Sequence, residues 1–137
     1  MTIAIPDSHR DLLEKPVIVI LATITSEGKP HAVPIWRKFD GQHIFMAIDH
    51  GSRKHKNILS NANVSVLALD AQNPYRYLTA NGVAEVVETG ALELLDELAD
   101  MYRGQPAYFG YSEPLENKDH YKGVVLKIKP ERFIKVG

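Results

Sequence analysis

The side chains best suited to chemistry are concentrated in Gly51-Ser52-Arg53-Lys54-His55-Lys56-Asn57, followed by Ile58-Leu59. Ser52 is placed to cap a helix, and Arg53, Lys54, His55 and Lys56 then fall in its first turn. Cations at that end oppose the helix dipole, at roughly 0.3–1 kcal/mol for each exposed charge. A bound anion reverses the sign. It would meet free backbone N–H groups, the Ser52 hydroxyl, a forked guanidinium from Arg53 and a point charge from Lys54. Asn57, one turn on, can add an amide donor. The alternative is a solvated basic turn balanced by acids elsewhere in the chain.

Other catalytic equipment is sparse. The chain has no cysteine, which excludes thiol nucleophiles, disulfides and thiolate metal sites. Its six histidines are scattered, without metal-ligand spacing, and no serine sits in a nucleophile elbow. No side chain is therefore expected to be catalytic and no metal site is expected; His9, His31, His43, His50, His55 and His120 read as surface or hydrogen-bonded residues. An enzyme built this way depends on a cofactor. A phosphorylated cofactor with a flat ring suits the basic turn. A net charge of −1 over 137 residues argues against bulk electrostatic binding to nucleic acid or anionic membrane. The start of the chain lacks the pattern of a signal peptide and no apolar run is long enough to span a bilayer, so a soluble cytoplasmic protein is expected.

Residues 1–137 read as a single domain. Ser8 to Glu14 predicts a short helix capped by Ser8 and stopped by Pro16. Val17 to Thr25 is β-branched almost throughout and predicts a strand buried on both faces. Turns at Ser26-Glu27-Gly28 and Asp40-Gly41 would join it to Lys29–Phe39 and Gln42–Asp49 in an antiparallel meander. Pro30 and Pro34 make the second of these strands an edge, or bulged, over part of its length; an edge there is protected by its prolines, Arg37 and Lys38, or else open to a flat heterocycle. Asn63–Leu69 and Tyr75–Glu88 follow as strands around the turn at Asp70-Ala71-Gln72-Asn73-Pro74, with a break or bulge at Asn81-Gly82. An amphipathic helix spans Ala91 to about Arg103 and ends at Gly104. Residues 104–122, rich in proline and aromatics, could lid a pocket or cover a barrel end. Gly123–Lys129 and Arg132–Val136 are two further runs separated by Pro130. About six mostly antiparallel strands with few helices make a small β-barrel with helices at its ends.

Leu21-Ala22-Thr23-Ile24, Gly28-Lys29-Pro30-His31-Ala32-Val33-Pro34-Ile35-Trp36, and Ser52-Arg53-Lys54-His55-Lys56-Asn57-Ile58-Leu59 before Asn63-Val64-Ser65-Val66 together resemble the pyridoxamine 5′-phosphate oxidase-like split-barrel proteins. Asp70, Asn73-Pro74-Tyr75-Arg76-Tyr77, Gly82 and Tyr102-Arg103-Gly104 are similar to the branch of deazaflavin (coenzyme F-420)-dependent oxidoreductases. The resemblance runs from Leu12 to Phe133. It implies a mainly β, six-stranded antiparallel split barrel of the FMN-binding-protein type, forming a homodimer with two cofactor sites at the interface. Ser52, Arg53, Lys54 and Asn57 would hold the cofactor phosphate. Val33, Pro34, Ile35 and Trp36, with Ala47, Ile48 and Asp49, would line the ring, while Tyr75, Arg76 and Tyr77 would approach from nearby or from the partner subunit. Lys38 and Lys56 are available to a polyglutamate tail. Arg37 stands where many deazaflavin relatives carry an aromatic, implying a different contact above the ring. Further arginine and glutamine contacts of the FMN oxidases have no match here, which argues against vitamin B6 oxidation.

The function expected is hydride transfer between coenzyme F-420, or FMN, and a small organic acceptor. The alternatives are a flavin, deazaflavin or tetrapyrrole carrier without turnover, and a small barrel that binds single-stranded nucleic acid.

Overall fold

The computed structural model describes residues 3–137. In chain order its elements are a 3₁₀ turn at Asp7–His9, α1 (Asp11–Glu14), β1 (Val19–Ile24), β2 (Pro30–Ile35), β3 (Lys38–Phe39), β4 (Ile44–Asp49) and α2 (Arg53–Ser60). There follow β5 (Asn63–Asp70), β6 (Asn73–Val87), α3 (Ala91–Arg103), a 3₁₀ turn at Leu115–His120 and β7 (Gly123–Val136). The strands form one seven-stranded sheet in the order β2-β1-β5-β6-β7-β4-β3, every neighbouring pair antiparallel. The protein is mainly β: a curled half-barrel with a few helices.

The expected meander is corrected. β2 pairs with β1 at one edge of the sheet, and β3 pairs with β4 at the other. Only Trp36 and Arg37 lie between β2 and β3, so the sheet must curl until its two edges come close. The predicted strand Lys29–Phe39 is thus two strands, and this division makes seven out of the expected six. In the opposite sense, Pro130 does not end β7. Its missing N–H falls where the ladder is already interrupted: Asn81 pairs with Arg132 and Gly82 with Pro130, leaving Glu131 as the extra residue. The irregularity expected at Asn81-Gly82 is present. A Cβ at Gly82 would lie 2.2 Å from the Lys129 carbonyl oxygen, so only glycine permits this approach.

Ser8 does not cap a regular helix. It lies in the 3₁₀ turn and its hydroxyl bonds His9 Nδ1, while the backbone of Arg10 flanks α1. Buried His9 in turn reaches the Val136 carbonyl through Nε2.

Inside the curl, alternate residues of each strand form the core: Val19 and Leu21, Ile44, Met46 and Ile48, Val64 and Val66, Leu78 and Ala80, with Leu126 and Ile128. α3 covers part of the outer face, packing Leu94 and Leu98 on Val125, Ala47, Phe45 and Trp36. Among the described residues nothing covers the rest of that face. Ile18 is 56 % exposed, so the expectation that the first strand is buried on both faces fails for a single chain. Apolar character on the uncovered side is arranged in rungs. Ile20 lies beside Leu67, Thr79 and Ile134 in successive strands, and Leu69 beside Tyr77 and Val136.

Candidate functional site

β4 ends at Asp49 and the chain turns through His50-Gly51 into α2. Ser52 caps the helix as its spacing predicts, with its hydroxyl accepting from the His55 N–H at 3.4 Å. Buried His55 folds back under the turn, and its Nδ1 accepts from the Gly51 N–H at 2.9 Å. No acid occupies the first turn of α2. Among the described residues Arg53, Lys54 and Lys56 make no ion pair. The helix therefore presents open N–H groups and unneutralised cations at its positive end, a donor set suited to phosphate. Asn57 is not part of that end. It is buried, and its amide donates to Thr23 Oγ1 at 3.0 Å, fastening α2 to β1.

A groove of about 330 Å³ is walled by Ile18, Pro34, Ile35, Trp36, Ala47, Leu95, Leu98 and Tyr108, with Ala47 on the strand that leads into the basic turn. The edge position of β2 leaves Pro34 exposed along the groove. On β4, period-two alternation sends Ile48 into the core and leaves Ala47 and Asp49 on the cavity side. Of the predicted ring-lining set, Pro34, Ile35, Trp36 and Ala47 meet here. Val33 does not line the groove, and Ile48 can contribute only its backbone.

A second cavity of about 600 Å³ shares Ala47, Leu95 and Tyr108 with the first. It is bounded by Asp49 and His50 and by Phe109, Glu113, Tyr121 and Lys122 of the 104–122 segment. This segment covers the outer face and is anchored by the Tyr108 N–H on Asp96. Burial raises the Tyr108 hydroxyl pKa, and Glu113 and Asp49 raise it further. Burial likewise pushes Tyr121 up to about 12, with Asp49 adding to it. Both phenols are protonated donors at neutral pH. Among the described residues no group of three His, Cys, Asp or Glu is placed to hold a metal ion.

The crossing between the two sheet edges is pinned at Trp36-Arg37. Trp36 stacks on Tyr102 with centroids 5.3 Å apart, and Arg103 lies over its ring at 5.6 Å. The Tyr102 hydroxyl donates to the Val17 carbonyl at 2.7 Å and accepts the Arg37 N–H at 3.2 Å. Arg37 neither guards an exposed edge nor reaches a ring above the groove. It is fully buried, donates to the carbonyls of Leu12 and Lys15 at the end of α1, and lies 5.9 Å from the Tyr102 ring. Desolvation lowers its pKa, and among the described residues Nε and Nη1 have no partner.

Tyr75, Arg76 and Tyr77 are not near the basic turn of their own chain. Asp49 pairs with Gly123 at the start of β7, whereas Tyr77 pairs with Val136 at its end. Roughly 40 Å of strand separates these ends. Arg76 is also committed: it binds Asp11 at 2.6 Å, Asp70 at 3.1 Å and the Ser8 carbonyl at 2.6 Å, tying the β5–β6 hairpin to α1. Lys38 is engaged by Glu97 at 2.9 Å. Leu95, Tyr102, Tyr108 and Tyr121 are walls or supports that residue type could not assign, because their positions depend on where α3 and the 104–122 segment fold back.

Comparison with known proteins agrees with this architecture. An F-420 reductase of solved structure superposes with a TM-score of 0.82 at 29% identity, covering 95% of this chain and 98% of that one. A conserved hypothetical protein of Mycobacterium tuberculosis gives 0.74 at 26%, covering 98% and 86%. The heme storage protein HutZ of Vibrio cholerae gives 0.67 at 18%, covering 93% and 92%, a likeness of fold alone. No curated protein matches the sequence. The family model for pyridoxamine 5′-phosphate oxidase matches residues 5–137, and the chain belongs to that family.

Proposed function

We propose that residues 1–137 act as one split-barrel domain that binds a phosphorylated flavin-type cofactor, coenzyme F-420 in the first instance and FMN in the second, and uses it to reduce or oxidise a small organic molecule. The observation that carries this reading is the basic start of α2. Its cations are unpaired among the described residues, it is capped by Ser52, and Ser52 follows Ala47, the β4 wall of an apolar groove, by five residues. Ser52, Arg53 and Lys54 would take the phosphate. Pro34, Ile35, Trp36 and Ala47 would flank the ring. When bound, the cofactor supplies hydride chemistry. The chain's own part is to orient the ring and exclude water, with Tyr102 holding Trp36 in place. The likeness to an F-420 reductase favours the deazaflavin over FMN.

The uncovered rungs of Ile20, Leu67 and Ile134, and of Leu69, Tyr77 and Val136, support a homodimer. Ile18 belongs to both that face and the groove, so a second copy seated there would border the cofactor. Tyr75 and Tyr77 could then serve only the partner's site.

Lys54→Ala tests the phosphate clamp. Affinity for F-420 or FMN should fall by about 1.5–3 kcal/mol, while the cofactor-free protein melts at the same temperature or higher, since a cation leaves a helix N-terminus. Unchanged affinity for both cofactors would overturn the assignment. Oxidation of the bound, reduced cofactor by a panel of acceptors separates an enzyme from a carrier.

A further inference from the structure

We propose that the second cavity, between the end of β4 and the 104–122 segment, is a binding site for an organic cation: an alkylated ammonium or N-alkylated heteroaromatic group. Three rings stand together on its wall. Tyr108 meets Phe109 edge-on at 5.2 Å, and Phe109 meets Tyr121 at 5.4 Å. A ring face of this cluster turned to the cavity would offer π-electron density to a cation that water hydrates weakly. Two carboxylates, Asp49 and Glu113, share the cavity with one lysine, Lys122, and two imidazoles, His50 and His120. The Asp49 carboxylate has no partner among the described residues. Glu113 is held by the Asn117 amide at 3.3 Å. Burial is the main cause of the raised pKa of both phenols, and Asp49 adds to it in each, while Arg103 acts in the opposite sense on Tyr108. A tertiary or quaternary ammonium gains from both features at once, whereas a carboxylate or phosphate would face two like charges.

The cavity is continuous with the groove through Ala47, Leu95 and Tyr108. Its service as the substrate subsite rests on the cofactor reading above, but the binding of a cation does not. Benzyltrimethylammonium, benzyl alcohol and benzoate are titrated into the full-length, cofactor-free protein by calorimetry and by NMR. The cation should bind at least tenfold more tightly than either of the others, shifting ring resonances of Tyr108, Phe109 and Tyr121. Asp49→Asn and Glu113→Gln should each weaken it three- to tenfold. Equal affinity for the three probes, no binding, or an unaffected Asp49→Asn/Glu113→Gln double variant would overturn the proposal. Cation binding in a protein that takes neither F-420 nor FMN would leave this site standing and remove the cofactor reading; cofactor binding with no preference for the cation would do the reverse.

Discussion

Arg37 and Tyr121 show how far a side chain's role depends on its surroundings. An arginine after an edge strand ordinarily snorkels to water. Here its guanidinium is drawn inside by the carbonyls at the end of α1, in a place where the chain crossing between sheet edges has no ladder partners. Tyr121 covers Gly123, where a Cβ would lie 2.2 Å from its hydroxyl, and faces the cavity with the Asp49 charge nearby. Its phenol is raised from 10.0 to about 12 in the folded protein. A group whose folded pKa is raised stabilises the fold fully below its unfolded pKa, and that contribution is lost as pH rises through the folded value. Tyr121 should therefore produce a decline in stability between about pH 10 and 12. Tyr121→Phe should flatten that part of the curve, measured by urea unfolding across the alkaline range. An identical slope in the variant would remove Tyr121 as its source.

Among the elements, the β6–β7 ribbon is the spine, with β6 of 15 residues and β7 of 14. Strands of this length can bend around a core only if the ladder is broken once, and Gly82 opposite Pro130 and Glu131 provides the break. Gly82→Ala would force a methyl into the Lys129 backbone, which cannot move aside as a flexible side chain would. Destabilisation of about 1–3 kcal/mol is expected, at the upper end of that range because the clash is with main chain. Urea unfolding should show a lower midpoint with an unchanged m-value. A midpoint equal to that of the native protein would mean that the ribbon relaxes without strain. α2 depends on two inward fastenings, Asn57 to Thr23 and His55 to Gly51, which leave the polar side of its first turn open.

At the scale of the molecule, α3 and the 104–122 segment cover one part of the outer sheet face, and among the described residues nothing covers the rest. Exposed Leu69, Ile134 and Val136 lie on the bare side. If a second copy covers it, Leu69→Lys should yield monomers by sedimentation at micromolar concentration and weaken cofactor binding, because the groove loses its border at Ile18. A dimer unaffected by Leu69→Lys together with Ile134→Glu would place the interface elsewhere.

Alternation and turn chemistry by themselves determined much of the architecture: the strand segments, the amphipathic helix ending at Gly104, the Ser52 cap, the irregularity at Asn81-Gly82 and the edge character of the proline-bearing strand. These are local properties, set by side-chain period, φ preference and missing N–H groups within a few residues. The resemblance in motif order carried the family. Only the tertiary structure decided that the chain between Ile35 and Lys38 jumps from one sheet edge to the other, because pairing partners are chosen by the curl of the whole sheet. It likewise turned Arg37 and Asn57 inward, committed Arg76 to Asp11 and Asp70, and brought Tyr108, Phe109 and Tyr121 against Asp49. Each of those contacts joins residues brought together by packing from separate elements, and no period in the sequence encodes such a meeting.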